Sequence, residues 1–289
     1  MKPAAFEYER PTTIQEAVAA LDRHGDNAKV LAGGQSLIPM MNLRLVQVSH
    51  LVDIGRLESL RGIEVADGTL RIGALTTHNT LLGSPVIAQV CPLIAEAYHE
   101  VAHHSVRNRG TLGGSLCHND PASEMPLIMS VLGATLVAQS SSGQRRISVE
   151  EFLQGDFTTA LEANELLVAI TLPLPPKSHG YAFLEVAQRK GDFALVACAA
   201  LLEVRDGLCR SVRIGYRNIG HETVRLPVIE GMMEGQAPTA TLIAEAAAAA
   251  ADASDPPADI HATSDYRRHI VKVLTERVLT RSIERAKAL

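Results

Sequence analysis

A short proline-rich segment constrains the fold of this chain more than any other feature of its sequence. Residues Pro173-Leu174-Pro175-Pro176 hold three prolines in four positions. Proline lacks a backbone N–H and has a fixed φ, so neither a helix nor an inner strand continues through such a run. We therefore expect a stiff link there, with the main domain boundary at residue 176.

Short helices and strands alternate before this link. Apolar residues at 14, 17, 18 and 21 predict a helix over Thr13 to His24, with Thr12 or Thr13 as its N-cap and Gly25 as its end. Two further helices are expected, over 85–102 with a break near Pro92, and over 126–132. Short apolar runs predict strands at 28–32, 51–54, 62–65, 69–73, 134–138 and 165–172, with Asp67-Gly68 as a hairpin turn.

The part after the link has a different pattern. Three longer strands are predicted at 181–188, 194–204 and 208–216, the last two joined by the turn Asp206-Gly207. An alanine-rich helix then runs to Asp252, and a basic helix spans Asp265 to Ala286. The residues alone thus predict a mixed α+β chain whose second half contains mostly antiparallel sheet.

Composition and net charge limit the binding partners and the cellular compartment that we expect for this chain. The 289 residues include 27 Lys and Arg against 32 Asp and Glu, a net charge of −5, which argues against a nucleic-acid-binding surface. No apolar window is long enough for a membrane span, and the first ten residues lack a secretory h-region, so we expect a cytoplasmic protein. Cysteines 91, 117, 198 and 209 form no Cys-x-x-Cys pair, so the chain itself is expected to carry neither a zinc ribbon nor an iron–sulfur cluster.

Two glycine pairs are the main functional signal. One lies in Ala32-Gly33-Gly34-Gln35-Ser36-Leu37, directly after a predicted strand, and the other in Arg109-Gly110-Thr111-Leu112-Gly113-Gly114-Ser115-Leu116. A glycine pair can adopt positive φ and turn its amides toward one point, so two such loops would suit a diphosphate. Neither is a Rossmann or Walker motif, and ordinary glycine turns remain the alternative. Spacing alone therefore indicates a nucleotide-type cofactor and nothing finer.

Four ordered motifs carry a family resemblance: AGGQSLIP, IGALTTH, RNRGTLGGSLCHNDPASE and RKGDFALVACA. Together they resemble the FAD-binding medium subunits of molybdenum hydroxylases, the family of carbon monoxide dehydrogenase medium chains and xanthine dehydrogenase flavin domains. The resemblance extends to Ser264-Asp265-Tyr266-Arg267-Arg268 and so covers nearly the whole chain. It implies a two-part FAD-binding domain of the PCMH/vanillyl-alcohol-oxidase type (1–57 and 58–176). A smaller α+β C-terminal domain with an antiparallel sheet and terminal helices would follow (177–289).

The resemblance also implies the residues that contact FAD. The diphosphate would be held by a first loop, Ala32, Gly33, Gly34, Gln35 and Ser36 with Leu37 beside it, and by a second loop, Thr111, Gly113, Gly114 and Ser115. Thr76, Thr77 and His78 would lie near the cofactor, Asp120 would shape a turn, and Glu124 would contact ribityl hydroxyls. Leu167 and Val168 would give aliphatic cover, and Lys190, Asp192 and Phe193 would lie at the isoalloxazine ring. The chain departs from the common family pattern at Gln35 (often His), Ser115 (commonly Asn) and Glu124 (commonly Asp).

The implied function is electron transfer within a complex. FAD in this chain would receive electrons from [2Fe–2S] clusters of a small subunit and pass them to an external acceptor. A large subunit would hold the molybdenum cofactor, and the assembly would be a dimer of heterotrimers. Two alternatives stay open: a free-standing flavin oxidoreductase of related fold, and a non-redox assembly subunit. We expect no catalytic acid–base residue and no metal ligand in this chain. His103-His104 are interpreted as a helix end and His118 as part of a turn.

Overall fold

The computed structural model describes residues 1–220 and 224–288, which divide into two compact units by internal contacts. The first unit comprises residues 1–83, 104–119 and 134–173, and the second comprises 84–103, 120–133 and the described residues from 174 onward. Neither unit is continuous in sequence. None of the helices formed by the described residues is long and apolar enough to cross a membrane.

The first unit contains three sheets. Its strands are β1 (Glu7–Glu9), β2 (Ala28–Leu31), β3 (His50–Asp53), β4 (Ile63–Ala66), β5 (Thr69–Gly73), β6 (Thr135–Ser140), β7 (Gly143–Ser148), β8 (Leu153–Gly155), β9 (Thr158–Thr159) and β10 (Leu166–Pro173). Strands β1-β3-β2 form a parallel sheet, β4-β5-β10-β6-β7 an antiparallel one, and β8-β9 a small hairpin. The parallel sheet was not expected from the sequence.

Short helices connect these strands. They are α1 (Ile14–His24), α2 (Leu37–Asn42), α3 (His78–Leu82), α6 (His104–Arg107), α7 (Leu112–His118) and α9 (Val149–Phe152). The expectation for α1 is confirmed: the Thr13 side chain accepts a hydrogen bond from the Glu16 N–H, and Gly25 ends the helix at φ +50°. Its buried face, which includes Val18 and Leu21, packs in a core with Val52 of β3 and Val168 of β10.

The second unit is built on one antiparallel sheet, β11-β12-β13, as the sequence predicts. Its strands are β11 (Gly180–Ala187), β12 (Ala194–Arg205) and β13 (Leu208–Arg217). Its helices are α4 (Pro85–Val90), α5 (Pro92–Tyr98), α8 (Glu124–Leu132), α10 (Pro227–Met233), α11 (Ala240–Asp252) and α12 (Ser264–Lys287). The break at Pro92 is confirmed, since proline opens α5 at a position that needs no N–H.

Both faces of this sheet are covered. One face packs against α10, α11 and α12 in a large apolar core that includes Val196, Tyr216 and Val278. The other face receives α8, because a Cβ added to Gly215 of β13 would lie 2.8 Å from Leu127 Cδ1.

Candidate functional site

A cavity of about 530 Å³ lies in the first unit, where β2 and β3 end. The carboxyl ends of adjacent parallel strands are a common place for ligands in sheet proteins. Five separate segments of the chain form its wall, at residues 10, 31–38, 53–61, 75–77 and 108–111. The lining residues are Arg10, Leu31, Ala32, Gly33, Gly34, Gln35, Ile38, Asp53, Gly55, Arg61, Leu75, Thr77, Asn108, Arg109 and Thr111.

The first glycine loop forms one side of this cavity. The sequence predicts positive φ for this glycine pair. Gly34 adopts it, with φ +72° in the left-handed region, whereas Gly33 does not have positive φ. The backbone N–H groups from Gly33 to Ser36 have no hydrogen-bond acceptor within residues 1–220 and 224–288. Because backbone N–H groups normally find a partner, a run of four without one is a set of donors for a bound anion.

The two glycine segments are in direct contact. A Cβ built on Gly33 would lie 2.1 Å from the Arg109 carbonyl oxygen and 2.8 Å from Gly110 Cα. Gly33 is therefore glycine because backbone from the second segment occupies the place of its side chain. The two segments share one cleft, as a common ligand requires.

The second segment is not the free amide loop that we expected. Thr111 is the N-cap of α7, and Leu112 to Ser115 form the first turn of that helix. Their N–H groups donate to Thr76 O, Ala74 O, Thr111 Oγ1 and Thr111 O, respectively, at 2.9–3.1 Å. Neither Gly113 nor Gly114 has positive φ, and a Cβ on Gly113 would lie 2.7 Å from Ala74. These glycines serve close packing, and their amides are already used.

Two threonine hydroxyls add polar groups to the wall. Thr77 and Thr111 face each other across an isolated β-bridge, and each caps a helix through its Oγ1. Thr111 Oγ1 accepts from the Gly114 N–H at 3.1 Å, which leaves the hydroxyl hydrogen able to donate.

Charge in the cavity favours an anion. Arg10, Arg61 and Arg109 supply three guanidinium groups against the single carboxylate of Asp53, so the wall carries two net positive charges. Arg10 lies 3.4 Å from Asp53, and Arg61 donates to the carbonyls of Leu75 and Gly55 at 3.0 Å. Tyr8 also donates to Asp53, and this hydrogen bond raises the pKa of the phenol. Free N–H groups, hydroxyls and local positive charge fit the diphosphate of a dinucleotide, although the whole chain is acidic.

Several predicted residues of the first unit lie outside the cavity wall. The Thr76 hydroxyl is buried and exchanges hydrogen bonds with the backbone of Gly62 at 3.0 and 3.1 Å. The His78 ring packs against Gly110, and burial first, then Arg107, lowers its pKa to about 4, so it is neutral at pH 7. Also absent from the lining are Ser36, Leu37, Gly113, Gly114, Ser115, Leu167 and Val168.

The remaining predicted residues belong to the second unit. Asp120 shapes a turn as expected, since its Oδ1 accepts from the Ala122 N–H at 2.9 Å. Glu124 is the buried first residue of α8. Lys190 lies 3.4 Å from Glu100, and Asp192 lies 3.9 Å from His103. Phe193 follows them and is exposed.

The sequence interpretation did not assign nine of the lining residues: Arg10, Leu31, Ile38, Asp53, Gly55, Arg61, Leu75, Asn108 and Arg109. Asp53 and Gly55 had a usable signal, because they lie at the carboxyl end of the strand predicted at 51–54. Asn108 and Arg109 belong to the RNRGTLGGSLCHNDPASE motif. Arg10 and Arg61 had no signal, since long-range folding brings them to the cavity.

One histidine cluster in the first unit resembles a metal site by residue type. Glu9, His24 and His50 have potential ligand atoms within 4.8 Å of one another. The His24 and His50 rings, however, stack with centroids 3.7 Å apart and planes inclined by 16°. A metal ion lies close to the plane of each imidazole that binds it, so stacked rings do not converge on one ion. His24 instead contacts Glu9 at 2.6 Å.

The chain matches two family models in succession. Residues 4–175 match the FAD binding domain in molybdopterin dehydrogenase, and residues 181–282 match the CO dehydrogenase flavoprotein C-terminal domain. The cavity lies within the part matched by the first model.

Relatives match over almost their full length. The chain is 37% identical to the 6-hydroxypseudooxynicotine dehydrogenase complex subunit alpha of Paenarthrobacter nicotinovorans, over 99% of this chain and 97% of that protein. It is 36% identical to the carbon monoxide dehydrogenase medium chain of Hydrogenophaga pseudoflava, over 96% and 97%.

Solved structures agree with this relationship. A carbon monoxide dehydrogenase from Hydrogenophaga pseudoflava, lacking the Mo-pyranopterin moiety of its cofactor, superposes with a TM-score of 0.96 at 36% identity, covering 99% of each chain. Quinoline 2-oxidoreductase from Pseudomonas putida 86 gives 0.92 at 38% identity, covering 100% of this chain and 99% of that one. The chain therefore belongs to the family of FAD-binding medium subunits of molybdenum hydroxylases.

Proposed function

We propose that this chain binds FAD through its diphosphate at the Gly33–Ser36 amides and transfers electrons within a molybdenum hydroxylase complex. The observation that carries the proposal is the run of unpaired N–H groups beside a wall with two net positive charges. The cavity's position within the segment matched by the FAD-binding model supports it.

The chain's own residues bind and orient the cofactor. The amides donate to phosphate oxygens, the Thr77 and Thr111 hydroxyls border the same cavity, and the arginines offset the charge. When bound, a flavin accepts electrons singly or in pairs and so connects one-electron clusters with a two-electron acceptor. The family pattern supports further contacts, with Glu124 at the ribityl hydroxyls and Lys190, Asp192 and Phe193 at the isoalloxazine ring.

The names of relatives, a dehydrogenase complex subunit and a carbon monoxide dehydrogenase medium chain, support the presence of partner subunits. We propose a small subunit with [2Fe–2S] clusters and a large subunit with the molybdenum cofactor, assembled as a dimer of heterotrimers in the cytoplasm. All four cysteines are free thiols in the structure, which supports a reducing compartment.

The experiment is to purify the chain from its own cells under mild conditions and analyse the preparation for flavin, iron and molybdenum. The proposal predicts flavin absorption and co-purification of two further subunits, one with iron and one with molybdenum. A colourless chain with both partners would indicate the non-redox assembly subunit. A yellow chain that turns over substrate without partners would indicate the free-standing oxidoreductase.

A further inference from the structure

The first glycine loop connects two parallel strands that lie side by side. Strand β2 ends at Leu31, the loop and helix α2 follow, and β3 then runs beside β2 in the same direction. Leu31 pairs with Asp53 in the register of these strands, and the Ile54 N–H donates to the Leu31 carbonyl at 3.0 Å. Because neighbouring strands are about 4.8 Å apart, Asp53 lies next to the residue from which the loop begins.

This order of elements binds nucleotides in other proteins with parallel sheets. In those proteins the diphosphate lies at a glycine loop after the first strand. An acidic residue at the end of the second strand, about 20 residues further on, accepts a hydrogen bond from the ribose. Asp53 follows Gly33 by 20 positions and is the last residue of β3. The loop here lacks the three-glycine motif, but the ribose is joined directly to the diphosphate, so an acidic residue beside the loop is placed to meet it.

The Asp53 side chain is held in a fixed position on the cavity wall. Its Oδ1 accepts a hydrogen bond from the Gly55 N–H at 2.8 Å, and its Oδ2 accepts one from the Tyr8 hydroxyl. The Nε of Arg10 lies 3.4 Å from Oδ2. A Cβ on Gly55 would lie 2.9 Å from Oδ1, so glycine leaves room for the carboxylate. Two carboxylate oxygens offer about four acceptor positions, so acceptors remain for a ligand.

A diphosphate alone does not explain a carboxylate in this wall. Asp53 is the one acidic residue among the lining residues of the described chain, and its charge repels a nearby phosphate group. Ribose hydroxyls have the opposite requirement, because each needs an acceptor for its proton and a carboxylate is a strong acceptor. The cavity thus combines donors for phosphate, which are the amides, hydroxyls and arginines, with a charged acceptor for hydroxyl groups.

We propose that Asp53 binds the ribose hydroxyls of the ADP half of FAD, with Tyr8 and Arg10 as positioning residues for its carboxylate. This inference rests on the proposed FAD function. Every residue in it belongs to the first unit. The geometric reason is that a fixed carboxylate lies beside the unpaired amides of the glycine loop.

A preference for the intact ribose is the measurable consequence. ADP and 2′,3′-dideoxy-ADP have the same base and the same diphosphate, and they differ only in the two ribose hydroxyls. A hydrogen bond between a hydroxyl and a carboxylate contributes about 10- to 150-fold to affinity. The full-length apoprotein should therefore bind ADP more tightly than the dideoxy nucleotide by a factor in this range.

The experiment measures both affinities by competition with FAD, followed through flavin fluorescence. Asp53→Asn should reduce the preference for ADP about five- to tenfold, because a neutral amide of the same shape is a weaker acceptor than a carboxylate. Tyr8→Phe should reduce it by a smaller factor, because the carboxylate loses the hydroxyl that orients it. Asp67→Asn is the matched control, since Asp67 is an exposed aspartate in a hairpin turn of the same unit. It should keep the wild-type preference.

The ratio of the two affinities isolates the ribose contact, because a purely structural defect lowers both affinities by the same factor. Equal affinity of wild type for ADP and the dideoxy nucleotide would overturn the inference, and so would an unchanged ratio in Asp53→Asn. If Asp53→Asn fails to fold, the ratio in Tyr8→Phe decides in its place. Failure of ADP to displace bound FAD would also overturn the inference, whereas a wild-type chain that binds no FAD would contradict the proposed function itself.

Discussion

Gly33 has no room for a side chain because the carbonyl of Arg109 occupies the position of a Cβ. This contact gives the residue a role that its neighbour Gly34 does not share, since Gly34 is required for its positive φ. The two members of one glycine pair thus serve different needs, a close approach and a turn. Sequence alone predicts the turn but not the approach.

Gly33→Ala should weaken FAD binding while the chain stays folded. The added methyl must displace the Arg109–Gly110 backbone across the cavity. Overpacking strain is about 1–3 kcal/mol, and where the two segments relieve it by moving apart from their FAD-binding positions, the affinity falls by about 5- to 150-fold. Fluorescence titration of the apoprotein with FAD measures it. Gly231→Ala is the matched control, because a Cβ there meets no atom within 4 Å, and its affinity should equal wild type. Full affinity in Gly33→Ala would remove this contact from the account.

At the scale of elements, local signals predicted most of the regular structure. Thr13 caps α1, Asp67-Gly68 and Asp206-Gly207 adopt positive φ in hairpin turns, and Pro92 opens α5. Each of these caps and turns depends on a few residues that are neighbours in the sequence, so the sequence is enough to predict it. Helix α7 was missed because Gly113 and Gly114 have poor helix propensity, which its contact with Ala74 overrides.

Helix α12 depends on a buried arginine that its sequence pattern does not distinguish from its neighbour. Arg267 is 1% exposed, bonds to the Leu195 carbonyl and pairs with Asp259 at 2.7 Å. The adjacent Arg268 is partly exposed, and one of its partners, Asp265, lies on the same helix. The basic helix predicted at 265–286 therefore buries one of its arginines.

Arg267→Ala should lower the free energy of unfolding by about 1–3 kcal/mol, because it removes a buried side chain and leaves the Leu195 carbonyl without its donor. Arg268→Ala should change it by less than about 1 kcal/mol. Urea denaturation followed by circular dichroism compares the two variants. Equal losses would show that the burial of Arg267 does not matter for stability.

At the scale of the whole molecule, the sequence predicted contiguous domains, whereas contacts group the chain differently. Residues 84–103 and 120–133 belong to the unit that contains the C-terminal sheet. Leu127 of α8 packs where Gly215 of β13 leaves space, and no local sequence pattern predicts this contact. The three-part division at 57 and 176 stays a prediction from the family resemblance.

The candidate site, like the fold, was predicted in part from the sequence. Motif recognition identified the first glycine loop and the two threonines that line the cavity. It assigned amide donors to Gly113 and Gly114 that the helix already uses, because hydrogen-bond partners such as Ala74 O come from elsewhere in the chain. Arg10 and Arg61 reach the cavity only through tertiary packing.

Hydrogen exchange of the full-length chain with and without FAD distinguishes the two glycine segments. We expect FAD to protect the amides of residues 33–36, which have no acceptor within the described chain. The amides of residues 112–115 should exchange at unchanged rates, because each is already hydrogen-bonded. Protection at 112–115 without protection at 33–36 would contradict the account.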